Sequence, residues 1–346
     1  MRFAFTEDQL AFRDAVRSLL ERECPPDVVR AAWDGKPTEV WSHLAEMGVV
    51  GMAAPEEHGG LGMGELELVL VLEECGRAAV PDPVVEHAAV VVPALRDAGG
   101  KLAKRWLASL ATGEAVATAA LGPAPLIPDA DRAALLLDDH DGCIHAVELA
   151  TCDLTPMRSV DRARPLFAVG WSAEKDNKLE GADFDLSFDR GALGAAAQLL
   201  GLADRMISMT AEYAKDRHQF GRPIGSFQAV QHHLANALLR LEFARPVIYR
   251  AAHAVAHGEP DRPLLVSMAK AYAGDAADLA ARVALQVHGA IGYSWECDLH
   301  LFMKRAWSLA VAWGDAAFHR RRVGDWLLEQ PSSKNSPSKN EENPSA

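Results

Sequence analysis

Two segments of the chain carry residues whose types and spacing go beyond what helix periodicity requires. The first, RHQFGRPIGSFQ at 217–228, begins with an arginine at a predicted helix end and continues through two glycines and a proline. The second, QVHGAIGY at 286–293, joins two predicted helices through a Gly-Ala-x-Gly turn. An arginine at a helix C-terminus either offsets the helix dipole or contacts a ligand. A glycine turn permits positive φ or close backbone approach to a flat or charged group. Taken singly, neither segment distinguishes a ligand site from a helix connection.

Together and in this order, the two segments resemble the C-terminal helical domain of the acyl-CoA dehydrogenase family. Family members read R-x-Q-F-G-x-P-I-G-x-F-Q and later Q-x-H-G-G-x-G-aromatic. Three further segments resemble the family's opening helix, its P-E-x-x-G-G-x-G loop and its E-E-x-G-R helix: TEDQLAFRDAVRSLL (6–20), GVVGMAAPEEHGGLGMG (48–64) and LVLEECGRA (70–78). The resemblance covers nearly the whole chain. It implies a mainly α fold with an N-terminal helical domain, a small and here shortened β-barrel, and a C-terminal four-helix bundle.

The resemblance also implies a cofactor, FAD, held between the middle domain of one subunit and the bundle of its neighbour. The positions that it assigns to cofactor binding are Arg217, Gln219, Phe220, Phe227, Gln228, Gln286, Gly289 and Ala290. The residue types suit these roles, because an arginine fork matches a diphosphate and a phenylalanine face stacks on adenine. Ala290 stands where the family has a glycine, and its methyl group requires a negative φ there. We expect no metal site.

The chain departs from the family pattern where the reaction chemistry is expected. Desaturation of an acyl-CoA needs a carboxylate that takes the α-proton while the β-hydrogen leaves as hydride to the flavin. The usual position of that glutamate aligns with Trp313, and the other position known in the family aligns with Gly191. Neither residue can accept a proton. A shift of one or two residues in the alignment would instead make Asp315 or Asp189 the base.

The middle domain departs as well. The family's T-E-x-x-x-G-S-D run, which implies hydrogen bonds to the flavin, is replaced by ATAALGPAPLIPD at 117–129. There is also no tryptophan between Trp106 and Trp171 to lie against a flavin ring. We expect this shortened domain to be unable to hold its own isoalloxazine.

These kept and lost motifs favour one hypothesis over two others. The chain resembles the catalytically depleted subunit of heteromeric (α2β2) actinobacterial steroid-type acyl-CoA dehydrogenases. It would complete the FAD site of a partner subunit that carries the catalytic glutamate, and FAD would be shared between them. The alternatives are a homo-oligomeric dehydrogenase that uses Asp315 or Asp189, and a non-enzymatic scaffold or CoA-thioester-binding protein. The acyl group is not specified by the sequence, although a steroid-derived thioester fits the resemblance.

The elements that must position these residues follow from local patterns. Residues 6 to 110 read as helices, beginning with a capping box between Thr6 and Gln9. Short apolar runs separated by Pro, Gly and Asp indicate strands and turns from 112 to about 185. Helical periodicity returns at Leu193 and continues to about Leu328. The predicted domains are therefore 1–111 (N-terminal helical), 112–186 (shortened barrel) and 187–328 (bundle), with a disordered tail at 329–346.

Several other features have ordinary structural interpretations. Glu74 and Arg77 are spaced as an i,i+3 pair on one helix. Small residues in 191–197 either widen a pocket or allow tight helix packing, and packing is the favoured interpretation. His232 and His233 are expected on a surface or interface, and His288 is expected to orient the glycine turn.

Composition excludes several classes of protein. The 346 residues include 35 Lys and Arg against 48 Asp and Glu, a formal charge of −13, and 49% are hydrophobic. Such an acidic chain is a poor ligand for phosphate backbones, so we expect no nucleic-acid or membrane partner. The five cysteines are scattered without a C-x-x-C pair, and no apolar run suggests a signal peptide or membrane span. These features indicate a cytoplasmic protein.

Overall fold

The N-terminal part of the computed structural model, which describes residues 4–123 and 126–329, consists of helices. They are α1 (Glu7–Glu23), α2 (Pro26–Trp33), α3 (Val40–Glu46), α4 (Glu65–Arg77), α5 (Val92–Ala98) and α6 (Gly100–Ala111), with a π-helical stretch at Val85–Val91 before α5. The predicted capping box is confirmed, since Gln9 N donates to Thr6 Oγ at 3.2 Å and Thr6 N donates to Gln9 Oε1 at 2.8 Å. This box satisfies backbone donors that the helix start would otherwise leave unpaired.

The middle part is the small β region that the sequence predicts. It contains β1 (Ala117–Ala120), β2 (Ile127–Pro128), β3 (Leu135–His140), β4 (Cys143–Glu148), β5 (Asp153–Met157) and β6 (Leu166–Gly170). The strands form two three-stranded sheets in the orders β1-β3-β4 and β2-β6-β5, and only the β1–β3 pairing is parallel. A two-residue turn with positive φ at Asp141 and Gly142 closes the β3–β4 hairpin, which is the turn geometry that matches strand twist.

The C-terminal part is a bundle of long helices. They are α7 (Phe184–Asp216), α8 (Gln228–Ala256), α9 (Arg262–His288), α10 (Leu299–Val311) and α11 (Ala316–Glu329). Despite their length, none of the described helices is apolar enough along its length to cross a membrane. The predicted disordered tail lies outside the described residues, apart from the end of α11 at Glu329.

Helix α7 begins earlier than the sequence pattern predicts. It starts at Phe184 rather than near Leu193, because the Asp183 side chain accepts a hydrogen bond from Leu186 N at 2.9 Å and caps the first turn. Acidic residues and Gly191 in these first turns interrupt the helical spacing of apolar residues, so the sequence pattern does not show the start of the helix. The predicted boundary at 187 falls within the first turn of this helix.

Helices α4 and α7 cross at very short range because glycines lie at the crossing. A Cβ atom built on Gly201 would lie 2.6 Å from Arg77 N, and one built on Gly76 would lie 2.6 Å from Gln198 Cα. Both contacts are far shorter than van der Waals contact, so only glycine fits. The crossing joins the N-terminal helices rigidly to the bundle.

The predicted pair between Glu74 and Arg77 is wrong. Glu74 instead bonds Arg17 of α1, with 2.6 Å between Arg17 Nη2 and Glu74 Oε1, and Arg77 pairs with Asp204 of α7. Because α4 is buried on several sides, its charged side chains find partners on neighbouring helices.

Candidate functional site

The segment 217–228 forms an arm that projects from the end of α7. The helix ends at Arg217, whose backbone NH donates to Tyr213 O at 2.9 Å. The chain then makes a short hairpin, β7 (His218–Gln219) and β8 (Arg222–Pro223), around a turn with φ of 53° at Phe220 and 80° at Gly221. Two positive φ values are the mark of a type I′ turn. The structure thus confirms that the helix ends at Arg217.

Phe220 occupies a position that normally suits glycine or asparagine. A bulky residue at positive φ is strained, yet the Phe220 side chain is 92% exposed and gains little from burial. Its ring lies edge-on to Phe227 with 6.2 Å between centroids, and the Arg222 guanidinium lies 4.2 Å from the centre of the Phe227 ring. Phe220 thus combines a positive φ with an exposed aromatic ring.

The segment 286–293 forms the predicted turn between α9 and α10. Gly289 has φ of 63° at the end of α9, and a Cβ atom built there would have nothing within 4 Å. Its positive φ, not crowding, is what favours glycine. Ala290 is not among the described residues with positive φ, so its backbone has the negative φ that its methyl group requires. His288 Nδ1 lies 2.8 Å from Ala284 O, which places the imidazole against α9.

The arm and the glycine turn lie beside each other at one end of the bundle. The Tyr213 ring, at the end of α7, stacks on the His288 ring, at the end of α9, with 4.3 Å between centroids. The stack brings together most of the predicted cofactor-binding positions, and the following ones are exposed: Arg217, Gln219, Phe220, Gln228, Gln286, Gly289 and Ala290. Phe227 is half-buried beneath the arm. Among the described residues no hydrogen bond or ion pair engages the Arg217 side chain.

The two positions expected to hold a catalytic base lie in direct contact elsewhere in the chain. Gly191 is on the third turn of α7, and Trp313 is in the loop between α10 and α11. A Cβ atom built on Gly191 would lie 2.5 Å from Trp313 Cδ2 and 2.6 Å from Trp313 Cζ3. The indole is 4% exposed and packs against Gly191 at one side and Phe188 at another, with 6.2 Å between the ring centroids of Phe188 and Trp313. The side chain at 313 therefore fills the space that a side chain at 191 would occupy.

The loop that carries Trp313 is held by two buried residues that the sequence analysis missed. Lys270 Nζ donates to Ala310 O at 3.0 Å and to Gly314 O at 2.9 Å, and His319 Nε2 lies 2.8 Å from Trp313 O. Burial lowers the pKa of Lys270 to about 7 and that of His319 to about 3. The one sequence signal for Lys270 is a lone lysine in an alanine-rich stretch of α9.

The two carboxylates considered as substitute bases have structural partners. Asp189 is fully buried, with Oδ2 2.8 Å from Arg262 Nε and Oδ1 2.6 Å from Arg322 Nη1. Burial raises the pKa of Asp189, against the effect of the two guanidinium groups. Asp315 is exposed, and its Oδ1 accepts a hydrogen bond from Phe318 N at 2.7 Å, which caps α11. Because both oxygens of Asp189 are engaged by arginines, it is poorly suited to take a proton from a substrate.

A cleft of about 260 Å³ opens beside Trp313, between the β region and the end of α10. Its walls include Ala119 and Ala120 of β1, Leu166 of β6, and Ala312 with Trp313. The cleft lies at the opposite end of the bundle from the arm. At 1.5 Å per helical residue, Gly191 and Arg217 are about 39 Å apart along α7, which is farther than a dinucleotide extends.

Comparisons with known proteins agree with this architecture. The family model described as acyl-CoA dehydrogenase, N-terminal domain, matches residues 6–114, and the model of the C-terminal domain matches residues 184–328. The acyl-CoA dehydrogenase IpdE2 of Mycobacterium tuberculosis is 33% identical over 330 residues, which are 94% of this chain and 99% of IpdE2.

Solved structures of the same family superimpose closely. The ChsE4-ChsE5 complex from Mycobacterium tuberculosis contains a chain with a TM-score of 0.87 and 27% identity, covering 96% of this chain and all of that one. The Tcur3481-Tcur3483 steroid ACAD gives a TM-score of 0.85 at 25% identity, with 93% of this chain and 98% of that one covered. Together with the family models, these similarities confirm the resemblance and the fold class that the motifs predict.

Proposed function

The chain belongs to the acyl-CoA dehydrogenase family, and from that premise we propose that it is a non-catalytic subunit that completes the FAD site of a different family member. One observation carries the proposal. The arm that carries the predicted cofactor-binding residues is exposed, whereas the two positions aligned with the catalytic base are Trp313 and Gly191, in mutual contact. The partner subunit would supply the catalytic glutamate, in an α2β2 assembly.

The residues of the arm fit the adenine and diphosphate end of FAD. Arg217 has a planar donor fork suited to a diphosphate. Phe220 presents an exposed aromatic ring suited to stacking, and Gln219, Gln286 and the backbone at Gly289 are exposed as well and would add polar contacts. When bound, FAD accepts the hydride that leaves the β-carbon of the acyl group. This assignment gives the strained, exposed Phe220 a function, stacking on the adenine of FAD, that it does not have in an isolated chain.

The distance between the arm and Trp313 supports the proposal that the arm binds FAD for another subunit. A dinucleotide held by Arg217 and Phe220 cannot reach the Trp313 end of the same bundle, because the two ends are about 39 Å apart along α7. The arm therefore serves a pocket that belongs to a second chain. In the proposed assembly, that pocket supplies the catalytic carboxylate.

An exposed apolar surface on the bundle supports assembly with a second chain. Leu238, Leu239 and Phe243 on α8 and Tyr272 on α9 are exposed, with Phe243 61% accessible. Monomeric proteins seldom leave such a group of large apolar side chains in water. The ChsE4-ChsE5 neighbour is itself a complex, and we propose that a family partner covers this face of the present chain.

For the substrate we propose a steroid-derived CoA thioester. The support is that the structurally similar Tcur3481-Tcur3483 protein is a steroid ACAD. The residues of this chain would act on that substrate only through the cofactor that they help to hold. The acyl specificity would be set by the partner's pocket.

The test is to purify the full-length chain alone, measure bound FAD by absorbance, and add acyl-CoA anaerobically while following bleaching of the flavin. We expect FAD well below one equivalent and no bleaching. Stoichiometric FAD that is reduced by an acyl-CoA would overturn the proposal. In that case Asp315→Asn, compared with wild type, identifies or excludes Asp315 as the base.

A further inference from the structure

We propose that Trp313 is a fixed plug that excludes CoA thioesters from this chain's own pocket. The inference deepens the proposed function and rests on it, since it concerns the pocket that the proposal treats as inactive. It assigns to Trp313 a role beyond the absence of a base. The residue decides by its bulk whether an acyl group can enter.

The first argument is steric. In the family two alternative positions supply the base, and both must reach the same carbon of the substrate. They are Gly191 and Trp313 in this chain, so the space between them is where a thioester would react. The indole fills that space, because a Cβ atom added to Gly191 would lie too close to the ring for van der Waals contact. The indole is 4% exposed, and Gly191 does not line the cleft of about 260 Å³ beside it, so the cleft ends at the indole.

The second argument comes from the packing of α7 one turn beyond Gly191. The cavity between α4, the π-helical stretch and α7 has a volume of about 10 Å³ and is bordered by Leu68, Leu72, Ala89 and Gly194. This volume accommodates one water molecule at most. A Cβ atom built on Gly194 would lie 2.9 Å from Val85 Cγ1, so the small residues of α7 serve tight packing. This part of α7 is therefore tightly packed, and the Trp313 indole is the group whose removal would open space beside Gly191.

The third argument is that the plug is held in place. Trp313 itself has φ of 57° and Gly314 has φ of 88°, a conformation that a tryptophan adopts only under constraint. The constraint comes from Lys270, which bonds the carbonyls on both sides of the loop, and from His319, which bonds the Trp313 carbonyl. The three hydrogen bonds hold the backbone of the loop, and the packing on Phe188 contacts the ring itself. Trp313 is therefore held in place beside Gly191.

The test removes the indole and measures ligand binding. Butanoyl-CoA is titrated by equilibrium dialysis into the full-length wild-type chain and its Trp313→Ala variant, with circular dichroism to show that both are folded. We expect no saturable binding to wild type and at least tenfold tighter binding to the variant. Trp307→Ala is the matched control, because Trp307 lies on α10 at 40% exposure and does not line the cleft beside Trp313.

If Trp313→Ala does not fold, Trp313→Leu keeps an apolar side chain while still opening the site, and the same gain is expected. Saturable binding to wild type at the affinity of the variants would overturn the plug. So would folded variants that gain no binding. Failure of the proposed function has a separate signature, which is FAD reduction by the wild-type chain alone.

Discussion

Replacing Gly191 by alanine adds one methyl group where α7 meets the Trp313 indole. The added Cβ would lie 2.5 Å from Cδ2 of the ring, so the ring or the helix must move by about 1 Å to restore ordinary contact. Overpacking of this kind costs about 1–3 kcal/mol. Alanine in a helix interior gains about 1 kcal/mol over glycine. The net expectation is a loss of up to about 2 kcal/mol of folding stability.

The matched control is Gly274→Ala on α9, where an added Cβ has nothing within 4 Å. That variant keeps only the helix-propensity gain and should be stabilised by about 0.5–1 kcal/mol. Thermal unfolding followed by circular dichroism compares both variants with wild type. The double variant Gly191→Ala/Trp313→Ala should be more stable than Trp313→Ala alone, because the clash is gone. Equal stabilisation by Gly191→Ala and Gly274→Ala would refute the contact between Gly191 and Trp313.

Three further outcomes follow from individual residues. Burial lowers the pKa of Lys270 from 10.5 to about 7. Between these pH values the unfolded chain binds a proton that the folded chain lacks, so the stability contributed by this residue rises with pH. Lys270→Met should lose that rise, measured as melting temperature against pH beside wild type. Burial lowers the pKa of His87 from 6.5 to about 4, so its contribution to stability is lost as pH falls through this interval, and His87→Gln should flatten the loss. Phe220→Gly should not lower the melting temperature, because the side chain is exposed and glycine adopts the positive φ without strain. The assembled protein should nevertheless retain less FAD. A lowered melting temperature would contradict the description of the arm as strained.

The arm and the glycine turn were predictable because local sequence determines them. Gly221 and Gly289 adopt positive φ within a few residues of the helix ends that the pattern predicts. The Thr6 capping box is local in the same sense. Features that depend on residues close together in the sequence can therefore largely be predicted from the sequence.

The interior of the pocket was not predictable, since it depends on contacts between distant segments. The sequence identifies Trp313 and Gly191 as unable to act as bases, but their contact arises only when α7 packs beside the α10–α11 loop. The partners of Asp189 come from α9 and α11, and those of Glu74 come from α1. Charged groups buried by tertiary packing choose partners that helical spacing does not reveal.

The central claim is that this chain completes the FAD site of another subunit, and Arg217 tests it most directly. Arg217→Ala would be purified in complex with the family subunit that captures it, and FAD per complex measured by absorbance after gel filtration. Arg321→Ala, an exposed arginine on α11, is the control. The proposal predicts an intact complex that has lost most of its FAD in Arg217→Ala and a full complement in the control. An Arg217→Ala complex that retains all its FAD and its dehydrogenase activity would contradict it.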